Sequence, residues 1–386
     1  MSVLSRTAKL AIASEPSPGT YEPPAFTIVY SSRKRPRYRQ HITRLDDLAY
    51  RGSDSAVQDM LQGPAWSEWV IPSDLYPDLA GWYLRALIGP DTCTPGVSTT
   101  LASPAAQGAG SVSLGAEPAA GAVLMLGAGE TLEYAQAGTP SGSGPYAVPL
   151  ATPLRFTHAA AEPAVSQATH VFAQTGAGGI FTWPAYSLTM DDGTGPLGWP
   201  ACIFGSLAIG LSKDGYGSLR ASCSGWPPAA QDTFAYGASP MQPVQGWQWT
   251  ITTGGGASTR GLAVGLTLSR ALQVCPAVNG QQFPVGIYPG PLMADGTYSA
   301  IFEDQSDLDL YWQGTQEPCV HTITQPVLAG GCSLTLTMPR SGWYDGEPSQ
   351  ADAYLSAQFK LAGIADPVGN GAFTATLVNY VQASYQ

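Results

Sequence analysis

A mainly β protein is predicted here: two tandem repeats, each with one short helix, and a small β module inserted into the first. Three observations lead to that reading. Short runs of alternating apolar and polar residues recur along the chain, closed by Gly, Pro, Asn or Ser. The 386 residues include 45 Gly and 33 Pro without any collagen-like period, the punctuation of many strands joined by turns. Aromatics reach 10% while charged residues are only 12%. Such a chain is too rich in core-forming side chains for disorder, and so weakly charged a surface is expected to be covered largely by neighbours.

The elements follow in order. Residues 1–97 begin the first repeat. EPSPGTYEPP is turn-rich, FTIVYSS (26–32) reads as a strand, and RKRPRYRQ then holds five of the chain's 17 basic residues. Pro36 interrupts regular pairing there, so the stretch is expected to be an exposed arm or long hairpin. Arg33, Lys34, Arg35, Arg37, Arg39, Arg44 and Arg51 are its candidate contacts to acidic patches on identical neighbours. AWSEWVIPSD gives a short strand. In the helix that follows, Leu79, Trp82, Tyr83 and Ala86 share one face, Asp78 lies near the start and Gly89-Pro90 ends it. From 98 to 171 Lys and Asp disappear, and SVSL, AVLML, TLEYA and YAVPL alternate between Gly, Ser and Pro. That segment is expected to be the inserted module. Residues 172–244 resume the first repeat and run out through a spacer, and 245–386 form the second repeat.

Chemistry-bearing motifs are scarce. GTGPLG (193–198) has G-x-G-x-x-G spacing, but a dinucleotide site needs a helix next, and Pro196, Pro200 and strand-forming CIFGSLAIGLS follow instead. DDGTGPLG is therefore a hairpin loop; it also lacks the further oxygen ligands of a calcium loop. The six cysteines show no C-x-x-C or zinc spacing and are read as reduced, mostly buried thiols. The four histidines form no ligand pair and are read as surface or interface residues. Glu303 and Asp304 lie beside aromatics as a glycosidase pair would, yet neighbours on a strand point to opposite faces. No catalytic residue, cofactor or metal is expected. The formal charge of −11 argues against tight phosphate neutralisation. LAIA at the N-terminus is too short for a secretory h-region and no run approaches a membrane span, so synthesis in a cytoplasm is expected.

Two pairs of segments read alike. QGPAWSEWVIPSDLYPDLAGWYLRAL (62–87) and ADGTYSAIFEDQSDLDLYWQGT (294–315) both run strand, acidic turn, helix, with Trp82-Tyr83 answering Tyr311-Trp312. CIFGSLAIGLSKDGYGSLRASCSG likewise matches CSLTLTMPRSGWYDGEPSQADAYLSAQFKLAG as strand, loop, long strand. These parallels support an internal duplication.

Those phrases, with AKLAIASEPSPGTYEPP and its Glu15, AYSLTMDDG, TYSAIFEDQSDLDLYWQGT, SLTLTMPR and AFTATLVNYV with its Asn379, resemble the major tail tube proteins of long-tailed (siphovirus-type) bacteriophages. The resemblance is in particular to the larger, two-repeat form. The 98–171 segment is similar to a small β module of phage structural proteins. The resemblance implies β-barrel or sandwich repeats whose strands pair with those of identical subunits. Stacked rings would then form an acid-lined conduit for genome delivery, three chains giving a pseudo-hexameric ring. It further implies tape measure, tail terminator and distal tail proteins as partners, DNA passing non-specifically through the lumen, no membrane, and residence in the virion tail. A tail-tip or receptor- or carbohydrate-binding β protein, and a polysaccharide-degrading enzyme, are the competing readings.

Overall fold

The computed structural model describes residues 8–28, 35–49, 51–52, 54–174, 183–235, 237, 239–253, 256–303, 305–350, 354–366 and 371–385. Its elements, numbered along the chain, are nearly all strands. β1 (Lys9–Ser14) and β2 (Phe26–Thr27) come first, then β3 (Arg37–Asp47), β4 (Asp59–Asp74) and helix α1 (Pro77–Ile88). β5 (Asp91–Thr94) leads into β6 (Ser98–Thr100), β7 (Ser111–Leu114), β8 (Val123–Leu126), β9 (Glu133–Gln136), β10 (Tyr146–Pro149) and β11 (Pro163–Ser166), and β12 (Ala168–Ala173) leads out. β13 (Tyr186–Asp191), β14 (Leu197–Ser212), β15 (Ser218–Gly225) and β16 (Ala229–Ala230) follow. The remainder is β17 (Trp249–Thr253), β18 (Gly256–Ser258), β19 (Gly261–Ser269), β20 (Leu272–Cys275), β21 (Gly286–Pro289), β22 (Met293–Ile301), α2 (Ser306–Gln313), β23 (Cys319–Thr324), β24 (Ser333–Met338), β25 (Ser341–Gln350), β26 (Leu355–Gly363) and β27 (Thr374–Asn379).

The spine of the molecule is an antiparallel run ordered β3-β4-β15-β14-β19-β22-β26-β25. Within β3, β4, β14 and β15 the strands lie first, second, fourth, third in chain order. β19, β22, β25 and β26 lie in the same order, and a helix follows the second strand both times. The seam between the two sets is β14 on β19, paired from Ser206 opposite Ser269 to Ser212 opposite Ala263. At the ends of the run, β3 pairs only with β4 and β25 only with β26 among the described residues. The sheet is thus open, and the barrel that the sequence suggested does not close within one chain.

Alternation explains which face is buried. Trp69, Ile71, Leu207, Ile209, Leu219, Leu266, Leu268, Tyr298, Phe359 and Leu361 point to one side. They join one core with α1 and with a second sheet, β18-β17-β23-β24-β27-β12-β5. α1 lies where the sequence put it, Pro at its start and Gly89 at its C-cap. β14 serves two sheets: its first part pairs with β13 and β16, its second with β15 and β19. At the crossover Ala201 takes a φ of 53°, which costs a non-glycine residue about 1–2 kcal/mol. Its N–H donates to buried Glu15 Oε1 at 2.8 Å, and Ser187 Oγ and Gly19 N–H donate to the same carboxylate. Burial pushes Glu15 upward in pKa while these bonds pull it back. Glu15 therefore pins the N-terminal turn to the strand crossover.

β6 to β11 form a β7–β10 pair and a four-stranded sheet β6-β11-β8-β9, closed over Leu101, Val112, Leu114, Leu124, Leu126 and Val148. The strands flanking this segment, β5 and β12, pair with each other. It rests on the body through Val123 and Tyr134 against Met241, Cys332 and Tyr380, and Gln167 Nε2 donates to the Gly331 carbonyl at 2.6 Å. Two details differ from the sequence reading. β4 is a long strand of 16 residues because it extends past the body as half of a hairpin. Of FTIVYSS, only Phe26 and Thr27 are in a described strand, and 29–32 lie outside the described residues.

Candidate assembly surfaces

The basic stretch becomes a projecting hairpin. β3 pairs with β4 from Arg37 opposite Val70 to Asp47 opposite Asp59, with a bulge between Ile42 and Arg44. Five of the seven candidate contacts are brought onto it or its approaches: Arg35, Arg37, Arg39, Arg44 and Arg51. Arg33 and Lys34 lie outside the described residues. Arg51 forms an ion pair with Asp47, and the other four enter no ion pair among the described residues. Near the base His41 Nε2 meets Glu68 at 2.8 Å and its ring stacks on Trp66 at 4.7 Å. On the core side Tyr38 covers Trp69 and Trp199, with centroids at 5.1 and 5.0 Å.

Charge is not the whole surface of this arm. Leu45, Leu48, Val57, Met60 and Leu61 are exposed along it, Leu48 by 68%, and Leu45 sits directly opposite Leu61. Exposed apolar groups in such number mark a contact surface. Sequence reasoning attended to the arginines and missed them, although LDDLAY and DML carried the signal.

The uncovered face of the long sheet is the second surface. At its centre β14 presents Ser206, Ala208, Gly210 and Ser212, and β19 presents Ala263, Gly265, Thr267 and Ser269, with no charge among them. Glu68, Asp74, Asp295, Asp345 and Glu347 stand on the flanking strands, interleaved with Arg37, Arg39, Arg220 and Lys360. Lys360 Nζ and Asp345 Oδ2 pair at 2.5 Å, and each moves the other's pKa toward the charged form. A hollow of about 770 Å³ lies over Ser206, Ser222, Ser224 and Ser269, bounded by Trp66 and Met293.

Three histidines correct the surface reading: His158, His170 and His321 are buried. His170 and His321 alternate with inward Phe172 and Ile323 on their strands, a signal the sequence did offer. His158 lies between Glu133 Oε1 at 2.8 Å and Glu162 Oε2 at 2.7 Å. Burial pushes its pKa down, but the two carboxylates outweigh that and hold it above the ordinary value. His321 Nδ1 has no hydrogen-bond partner among the described residues, and burial lowers its pKa to about 4.

Asp91, Cys93 and His170 place three potential metal-ligand atoms within 4.8 Å of one another. The donor set is already committed to the fold. His170 Nδ1 meets Asp91 Oδ2 at 2.7 Å, its Nε2 meets the Val381 carbonyl at 2.8 Å, and Asp91 Oδ1 accepts the Tyr385 N–H. Burial, then the Asp91 charge, pushes the Cys93 thiol up. These residues clasp the C-terminal segment. Glu303 is exposed in the link between β22 and α2, outside any strand, and Asp304 lies outside the described residues.

Two strands with an unpaired edge among the described residues, a projecting arm and an uncovered sheet face thus stand in one molecule. Comparison with known families gives one match, over residues 5–324, to a model described as phage tail tube protein. None of the curated proteins compared with the chain matches it.

Proposed function

The chain belongs to the phage tail tube family, a structural and non-catalytic component of the virion, and we propose that it builds rings by continuing its long sheet from copy to copy. The observation that carries this reading is the repeated strand order with an open strand at each end. The run is antiparallel throughout and contains an even number of strands. β25 of one copy therefore meets β3 of the next with antiparallel polarity, as β14 already meets β19 inside the chain. Pairing edge to edge satisfies backbone groups that otherwise template uncontrolled association.

In this reading residues 1–97 with 172–244, and 245–386, are two tube-type units, and 98–171, up to the strand β12 that joins the second sheet, is a module on the outside. Three chains then supply six four-strand sets to a ring. The β3–β4 hairpin, with Arg35, Arg37, Arg39, Arg44 and Arg51, reaches to neighbouring copies. The uncovered face becomes the bore. Its acidity is tempered: carboxylates and cations alternate on the flanks, and hydroxyls and glycines line the middle. A duplex sliding over such a wall finds no continuous row of cations to release its counterions. Tape measure, tail terminator and distal tail proteins are the partners this role calls for, with assembly in the host cytoplasm. The family match favours the tube over a receptor-binding tip protein.

Electron microscopy of the purified full chain tests the proposal. Rings or tubes with a central hole are expected. A chain that stays monomeric at high concentration, its edges unpaired, overturns it.

A further inference from the structure

The hairpin β20–β21 is a part of the molecule to which ring closure assigns no task. Residues 272–289 connect the first and second strands of the second four-strand set, β19 and β22. The arm between β3 and β4 connects the first and second strands of the first set. The register places both at the same end of the sheet. Ser269 lies beside Ser206, and Met293 beside Ser269, at the end where β4 extends outward beyond Ser67. Like the arm, this second connection exposes large apolar side chains. Val278 is fully exposed, Val285 and Tyr288 are more than half exposed, and so is Met293 where β22 begins.

The connection is braced. Leu272, Val274 and Ile287 pack against Ala185 and Ile203, the Ala65 N–H donates to the Gln282 carbonyl at 2.7 Å, and Gln282 Nε2 donates to the Gln62 carbonyl at 3.0 Å. The turn of the β20–β21 hairpin, at Gln282, is thus laced to the foot of the arm, at Gln62 and Ala65, and held ready for contact.

The opposite end carries aromatic side chains. The β14–β15 turn exposes Tyr216, and the corresponding β25–β26 turn exposes Tyr354 with Leu355 beside it. Trp247 stands next to Tyr216: it is 63% exposed, its Nε1 donates to Gln245 Oε1, and Gln245 bridges to Tyr216. Each four-strand set therefore has an apolar projection at one end and a tyrosine-bearing turn at the other. Two different surfaces at opposite ends of one molecule make a heterologous contact, which propagates as an open stack.

We propose that β20–β21 is a second stacking arm, and that it and the β3–β4 hairpin seat on the Tyr216–Trp247 and Tyr354 turns of a second copy in the next ring. This rests on the ring reading of the preceding subsection. The test compares the full-length wild type with V278D/V285D and with Tyr354→Asp, by sedimentation velocity and electron microscopy, with thermal unfolding as the check on folding. The substituted side chains are exposed, so unfolding should be unchanged. Both variants should give single rings, and tubes only at protein concentrations at least tenfold higher than wild type. Tubes of wild-type length at wild-type concentration overturn the proposal, as does loss of the rings themselves in a folded variant. Absence of rings from the wild type instead sinks the ring reading on which it rests.

Discussion

Gly81 lies inside α1, where glycine ordinarily costs a helix about 1 kcal/mol relative to alanine. Replacing it with Ala should therefore stabilise the chain if nothing stands against the helix there. Something does. A Cβ built on Gly81 falls 2.0 Å from Cζ and 2.2 Å from Cε2 of Tyr385, a buried side chain whose hydroxyl accepts from Asn379 Nδ2 at 2.6 Å. Asn379 also donates to the Pro77 carbonyl, so the helix start, β27 and the C-terminal segment meet at this ring. Gly81→Ala must expel it. Losing a buried aromatic costs about 2–3 kcal/mol, and losing its hydrogen bond about 1 kcal/mol more. Against the helix gain of about 1 kcal/mol, the expected net loss is about 2–3 kcal/mol. Urea unfolding followed by tryptophan fluorescence measures it, and the background of Tyr385→Ala supplies the control. With the ring gone, adding Gly81→Ala should become stabilising by up to about 1 kcal/mol. A stabilising or neutral Gly81→Ala in the otherwise unaltered chain refutes the reasoning.

Two histidines give the stability opposite pH slopes. His158 has a raised pKa in the fold, so its contribution is full below the ordinary histidine value and is lost as pH rises through the raised one. Glu162, held low by the Ala159 N–H and then by His158, contributes above its ordinary value and loses this as pH falls through the lowered one. The β6–β11 segment should thus unfold more readily at alkaline pH, and His158→Gln should flatten that slope in amide exchange of its strands. His321 acts the other way. With its pKa lowered to about 4 by burial, the unfolded chain binds the proton first, and about 3 kcal/mol should be lost as pH falls from about 6.5 to 4. Urea midpoints of wild type and His321→Gln across that range check it. Replacing 96–166 by a short Gly-Ser linker should leave the body folded, because β5 and β12 pair as a hairpin without the intervening strands. The unfolding free energy should fall by about 1–3 kcal/mol as Met241, Cys332 and Tyr380 lose their cover, and circular dichroism and urea melts would reveal any larger collapse.

What the sequence made legible was local. The apolar stripe of α1, the loop at DDGTGPLG, and the alternating runs SVSL, AVLML and YAVPL all lie where their period and turn residues put them. The basic stretch was expected to be an exposed arm or long hairpin because Pro36 interrupts regular pairing, and β3 with β4 forms such a hairpin. The pairing of β14 with β19 was not legible. Register between strands separated by dozens of residues depends on which faces are buried together, and no window of sequence contains both. The buried histidines failed for a related reason: ATHVFA and CVHTIT show the inward alternation, but only tertiary packing supplies the Glu133, Glu162 and Asp91 partners. The apolar groups of the arm were readable one by one, and became a surface only when the hairpin left the body.

The seam between β14 and β19 has a consequence for how unequal the two halves are free to be. A homopolymer of single units must repeat every ornament at every position. In the ring proposed above one polypeptide links two panels: the long arm and the inserted module go with the first, while the second carries a short braced hairpin among the described residues. Around a ring of such chains, bulky outer appendages would occur at alternate panels, leaving clear space between them. Mutation is then free to enlarge one panel's ornament without crowding the wall it stands on.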